Sequence, residues 1–189
     1  MRRGYDLVVI GASLGGLVAL KQVLGCLPQS FGAAVAICQH RRPDNTSRLV
    51  HVLRAACALP VVEPEDKSAI ERGIVYLAPA DYHLLVERGW LALSTDEPIH
   101  FARPSIDVLF ETAAEAYRQR AMGVLLTGAS EDGAAGLLAI KKWGGATIVQ
   151  DPETAVSSVA PRAALARLCP DHVLPLGSIG PELARSCAA

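Results

Sequence analysis

The sequence predicts an α/β fold: a doubly wound, mostly parallel sheet with helices on both faces and a small antiparallel hairpin. Two observations carry this expectation. Short runs of Val, Ile, Leu and Ala alternate with helix-length segments along most of the 189 residues, the rhythm of repeated strand–helix–strand units. These runs are also almost continuously apolar, as strands covered on both faces must be. A hydrophobic share of 51% against 20% charged residues supplies the core that such a sheet needs.

The elements follow in order. YDLVVI reads as a buried strand, and Gly15 to Leu27 as a helix stopped by Pro28. AAVAICQH is the second strand, and DNTSRLVHVLRAAC the second helix, with Asp44 or Asn45 placed to cap it. LPVVE and GIVYLAP are short strands, and HLLVERGWLAL is a hairpin turning at Arg88-Gly89. Ser105 opens a helix through Tyr117, with Ile106, Leu109, Phe110 and Ala113 at helical spacing. MGVLLTG is a strand, and Ser130 or Asp132 caps the helix AAGLLAIKKWG. ATIVQD, then VAPRAALARL with Pro161 in its first turn, then HVLPL and IGPELARSC complete the pattern.

Composition narrows the function classes. The length fits one domain over residues 1–189, without a linker or an internal repeat. A net charge of -1 gives no electrostatic case for nucleic acid. No run approaches the roughly 20 apolar residues needed to cross a bilayer, and the polar start is no signal peptide. The five cysteines are widely spaced and form no CxxC pair, which argues against a disulfide framework or a zinc site and for a cytoplasmic location. They read as small buried hydrophobes or, near the C-terminus, spectators. Trp90 and Trp143 read as packing residues, and Lys141-Lys142 as a solvated helix end. A monomer is expected, and no cofactor or metal: no HxH, HExxH or Cys/His spacing is present.

In open α/β sheets ligands bind beyond the carboxyl ends of the strands, so chemistry is sought there. After the first strand stands GASLG, a G-x-S-x-G turn that lifts the Ser13 hydroxyl beside a helix N-terminus. Ser13 is there either a helix cap or a nucleophile. A dinucleotide loop fits worse, because the middle glycine is missing and ICQH ends the second strand without an acidic residue. His40 leaves that strand either as a hydrogen-bonded loop residue or as the base for Ser13. Asp132 caps a helix, orients His40, or does both. His51, His83, His100 and His172 sit in contexts that suggest no ligation.

Taken in order, VVIGASLGG, AICQH, VYLAPADYHLLV, RPSIDVLF, LLTGASEDGAAGL and QDPETAVSSVAPRAAL resemble the catalytic domain of the chemotaxis protein-glutamate methylesterases, the CheB type, most clearly over residues 7–168. The resemblance implies a Ser13–His40–Asp132 triad that removes methyl groups from glutamates on the cytoplasmic helices of chemoreceptors, and that also deamidates particular glutamines. It places Leu14 and Ala129 next to the oxyanion and the substrate. The chain departs from the family's usual residues at Leu14, Arg41-Arg42, Ala129-Ser130 and Val159-Ala160. Such proteins often carry an N-terminal receiver domain. With six residues ahead of the first strand here, the expectations are control by a separate response-regulator protein, no such control, or a fragment of a longer chain. The alternatives to the methylesterase are a receptor-binding module with weakened catalysis and a serine esterase on another substrate.

Overall fold

The computed structural model describes residues 4–41 and 46–188. Strand β1 (Leu7–Ala12) passes through helix α1 (Gly16–Leu24) to β2 (Ala34–Gln39) and α2 (Thr46–Ala56). The short strands β3 (Val61–Val62) and β4 (Val75–Leu77) lead to the hairpin β5 (His83–Glu87) and β6 (Trp90–Ser94). Helix α3 (Ile106–Tyr117) is followed by β7 (Ala121–Leu125), α4 (Ala134–Lys142) and β8 (Ala146–Gln150). Then come α5 (Val159–Arg167), β9 (His172–Leu174) and α6 (Leu176–Ser186).

Seven strands form one sheet in the order β3-β4-β2-β1-β7-β8-β9, and every neighbouring pair is parallel. The hairpin stands apart as a two-stranded antiparallel sheet on α3, where Val86 N–H donates to Thr112 Oγ1 at 3.0 Å. On one side of β1 the chain adds β2, then the edge strand β3 and, between them, β4; it then returns to build outward from β7 on the other. The order reverses at β1, so the crevice above its carboxyl end is the topological switch point where ligands bind in such sheets.

Alternation along the strands divides the interior into two layers. Val8, Ile10 and Ala12 point toward α1, α2 and α6, whereas Leu7 and Val9 point toward α3, α4, α5 and the hairpin. Every β1 residue is buried, which explains why the run is apolar throughout rather than alternating.

Several local readings change. β1 continues past Ile10, because Gly11 and Ala12 keep pairing with Cys38 and Gln39. Helix α1 ends at Leu24 instead of Leu27: Gly25 caps it, with its N–H on Lys21 O at 3.0 Å, and tight turns carry the chain to Leu27. Leu176 belongs to α6, not to the preceding strand. Trp90 and Trp143, read as packing residues, are 37% and 43% exposed. The Arg118 guanidinium lies 4.8 Å over the Trp143 ring. Lys141 is paired with Asp171 rather than merely solvated. Cys187, near the C-terminus, is a core residue whose thiol burial pushes up to about 12, whereas Cys26 is exposed. The expected caps Asp44 and Asn45 lie outside the described residues.

Candidate active site

The turn after β1 is set by close packing. Gly15 has φ +81, and a Cβ there would meet Val156 at 2.5 Å; glycine is the residue that adopts this left-handed conformation at no steric cost. Gly16 opens α1, and its N–H donates to Ser13 O at 2.8 Å. The Ser13 hydroxyl does not cap the helix: the cap position is Gly15, without a side-chain hydrogen bond. The capping alternative for Ser13 is therefore not what the turn does. Ser13 N–H donates to Thr127 O at 3.0 Å, which ties the turn to the chain leaving β7.

His40 follows β2 directly beside this turn, its N–H donating to Ala12 O at 3.0 Å. Its Nε2 lies 2.7 Å from Asp132 Oδ2. Ser13 and His40 line one open cleft of about 400 Å³ with Leu14, Leu17, Val18 and Gln39. A second hollow of about 480 Å³, lined by Arg41, His100, Phe101, Arg103 and Ser130, begins on the other side of His40. Arg41 itself is drawn away, paired with Glu63 and donating to Ala78 O at 2.7 Å.

Asp132 is fully buried, and its carboxylate accepts four bonds. Oδ2 takes His40 Nε2 and Ile106 N–H, both at 2.7 Å, and Oδ1 takes Ser105 Oγ at 2.8 Å and Asp107 N–H at 3.0 Å. Two of the donors are the first free amides of α3, where a helix favours negative charge. Burial pushes this carboxyl up, but the bonds from His40 and from the amides of Asp107 and Ile106 outweigh it and hold it below the ordinary carboxylate range. An ionised Asp132 requires the proton of neutral His40 to sit on Nε2. Nδ1 is then the ring nitrogen left to accept a proton.

Asp132 was expected to cap the helix that follows it, and here the structure differs. The cap of α4 is Gly133, without a side-chain bond. It is Asp107, from the first turn of α3, whose Oδ1 accepts the N–H groups of Gly133 and Gly136 at 2.9 and 2.7 Å. The two helices thus exchange aspartates: Asp132 accepts the first amides of α3, and Asp107 accepts amides at the start of α4. Burial holds the Asp107 carboxyl above its ordinary range. Ser130 also does not cap α4; its Oγ accepts the Asp132 N–H at 3.2 Å.

Three supporting residues were not read from the sequence as part of the site. Ser105 caps α3 and gives its hydroxyl proton to Asp132. His83, 2% exposed, accepts Ser105 N–H on Nδ1 at 3.2 Å, so its Nε2 donates to Glu97 O, also at 3.2 Å. Thr127 Oγ1 donates to Leu14 O at 2.9 Å. The serine before the IDVLF helix was a readable capping signal; its second bond, to a residue 27 positions away, was not. Among the described residues, the N–H groups of Leu14 and Ala129 make no hydrogen bond. Both lie in the turns that follow β1 and β7. Among the described residues no cluster of three His, Cys, Asp or Glu could hold a metal, and no helix is long and apolar enough to cross a membrane.

Fold and site together define a parallel α/β protein with a serine on a strand-to-helix turn, a histidine just after the adjacent strand and a buried aspartate bonded to that histidine. The chain belongs to the CheB methylesterase family, whose model matches residues 8–183. It is 44% identical over 176 residues to a Leptospira interrogans protein provisionally named a protein-glutamate methylesterase/protein-glutamine glutaminase, covering 93% of this chain and 91% of that one. It is 43% identical to the protein-glutamate methylesterase FrzG of Myxococcus xanthus, over 95% of this chain and 54% of that protein. The chain therefore spans about half the length of FrzG. The crystal structure of the Thermotoga maritima CheB methylesterase catalytic domain superposes with a TM-score of 0.91 at 34% identity, over 97% of this chain and 99% of that one.

Proposed function

We propose that the chain is a protein-glutamate methylesterase, a single catalytic domain that hydrolyses glutamate γ-methyl esters on chemoreceptor cytoplasmic helices and deamidates glutamines there. The observation that carries this reading is the 2.7 Å bond from His40, which shares a cleft with Ser13, to a buried Asp132, in a chain of this family. Ser13 Oγ attacks the ester carbonyl carbon while His40 Nδ1 takes its proton. The N–H groups of Leu14 and Ala129 stabilise the oxyanion of the tetrahedral intermediate. That intermediate collapses, the C–OCH₃ bond breaks, and His40 returns the proton so that methanol leaves. Water, deprotonated by His40, then cleaves the acyl-enzyme and restores Ser13. Asp132 keeps the Nε2–H tautomer and stabilises the imidazolium.

Both oxyanion donors are backbone groups, so the unusual side chains Leu14 and Ala129 leave the donors in place. Work in the cytoplasm belongs to the same proposal. The test is methanol release from methylated receptor membranes. Ser13→Ala should lower the rate by several orders of magnitude, and an unchanged rate would overturn the reading.

A further inference from the structure

We infer that Gln39 is a positioning residue that sets the approach of His40 to Ser13; this rests on the triad proposed above. The β1–β2 ladder ends at the pair Ala12 and Gln39, one residue short of both Ser13 and His40. Beyond it, one side chain takes over. Gln39 Nε2 donates to Ser13 O at 2.9 Å and to His40 O at 3.0 Å. Both acceptors are carbonyl oxygens, so only the NH₂ end of the amide can face them. The side chain therefore links the main chains of the serine and of its base directly, in a residue 8% exposed.

The other end of the amide makes this arrangement hard to read as ordinary packing. Among the described residues, the buried Oε1 has no hydrogen-bond partner, a state that few buried acceptors occupy. It lies against Gly16, where a Cβ would come within 2.0 Å of it. An orphaned acceptor is tolerated while both protons are spent on the two site carbonyls, and the glycine leaves room for it. On the opposite side of β1, Thr127 holds the same turn through Ser13 N–H and Leu14 O. Thr127 acts on the oxyanion side of the turn; among the described residues, Gln39 alone spans from the serine to the histidine with its side chain.

The test is a double-mutant cycle on methanol release from methylated receptor membranes. Gln39→Leu should lower kcat about 10- to 100-fold, the scale for misplacing a reacting group by about 1 Å, with KM changed less than twofold. The labelling rate of Ser13 by a fluorophosphonate should fall in parallel. In a His40→Ala background, the same substitution should change the residual rate less than twofold, because the distance it controls no longer matters. A residue needed only for folding would lower both backgrounds alike. Gln39→Met, equally long and without a donor, runs the same cycle if the leucine variant does not fold. A kcat within twofold of the parent, or an undiminished loss in the His40→Ala background, overturns the inference. If His40→Ala and Ser13→Ala both retain full activity, the triad is wrong instead. If both are inactive while Gln39→Leu and Gln39→Met turn over normally, only the role of Gln39 falls.

Discussion

Replacing Asp132 with asparagine tests the site and the fold in one variant. All four groups around the carboxylate are donors in the present arrangement: His40 Nε2, Ser105 Oγ, Ile106 N–H and Asp107 N–H. Asparagine replaces one acceptor oxygen with an NH₂ group, and either orientation is penalised. With NH₂ toward Ser105 and Asp107, the hydroxyl can rotate to accept, but the Asp107 amide meets another donor. With NH₂ toward His40 and Ile106, the Ile106 amide meets a donor and His40 must turn its Nε2 into an acceptor. That moves the ring proton to Nδ1, the atom that receives the Ser13 proton in the proposed mechanism. One buried amide without an acceptor costs about 1–3 kcal/mol, a loss of several degrees in Tm at roughly 2–4 °C per kcal/mol for a chain of this size. A wrong tautomer costs about 10⁴-fold in kcat in the serine protease precedent. Methanol release gives the rate, and urea unfolding the stability. A variant within about threefold of parent activity would refute the assignment of Asp132. Parent-like stability would refute the four-donor account.

Other consequences are as direct. Asp107→Ala strips the acceptor from two amides at the start of α4 and should cost about 2–4 kcal/mol in urea unfolding; a change under about 0.5 kcal/mol would contradict the exchange of caps. Because the folded-state pKa of Asp132 is depressed, its contribution to stability is full above the unfolded value of about 3.9 and is lost as pH falls through the folded value. Acid unfolding of Asp132→Asn should therefore lose that part of the pH dependence, and an unchanged acid profile would count against it. Phe101, fully exposed at φ +61, sits in a conformation costing an L-residue roughly 1–2 kcal/mol. Phe101→Gly should stabilise the protein by about 0.5–1 kcal/mol after the entropy of glycine in the unfolded chain, and a lower Tm would show that the turn is held by contacts of the ring.

The strands were legible because burial on both faces removes polar residues from them, so β1, β2 and β7 announce themselves as apolar runs. The candidate residues were legible because such sheets place ligands at strand carboxyl ends, and Ser13, His40 and the GASEDG segment all follow strands. What escaped reading depends on which elements become neighbours in space. Asp132 looked like the cap of its own helix, since the nearest free amides in sequence belong to α4. Only the packing of α3 beside α4 shows that each aspartate serves the other helix. Gln39 carried no signal either, because an amide ending a strand has no characteristic partner until the β1–β2 register is known. Helix α1 was overextended because Pro28 looked like the stop, whereas Gly25 ends it three residues earlier.

The order of the sheet also dictates when the site can exist. Ser13 and His40 directly follow the first two strands made, while Asp132 follows His40 by 92 residues. During synthesis at about 5–20 residues per second, the histidine waits several seconds or longer for its carboxylate. The helix that presents Ile106 and Asp107 to that carboxylate is itself made before the aspartate arrives. On the proposed triad, a nascent chain carries a serine without an oriented base until Asp132 has been made. A ribosome-bound chain released before Asp132 has emerged would be inert as an esterase, so hydrolytic chemistry is withheld until the fold that controls it is in place.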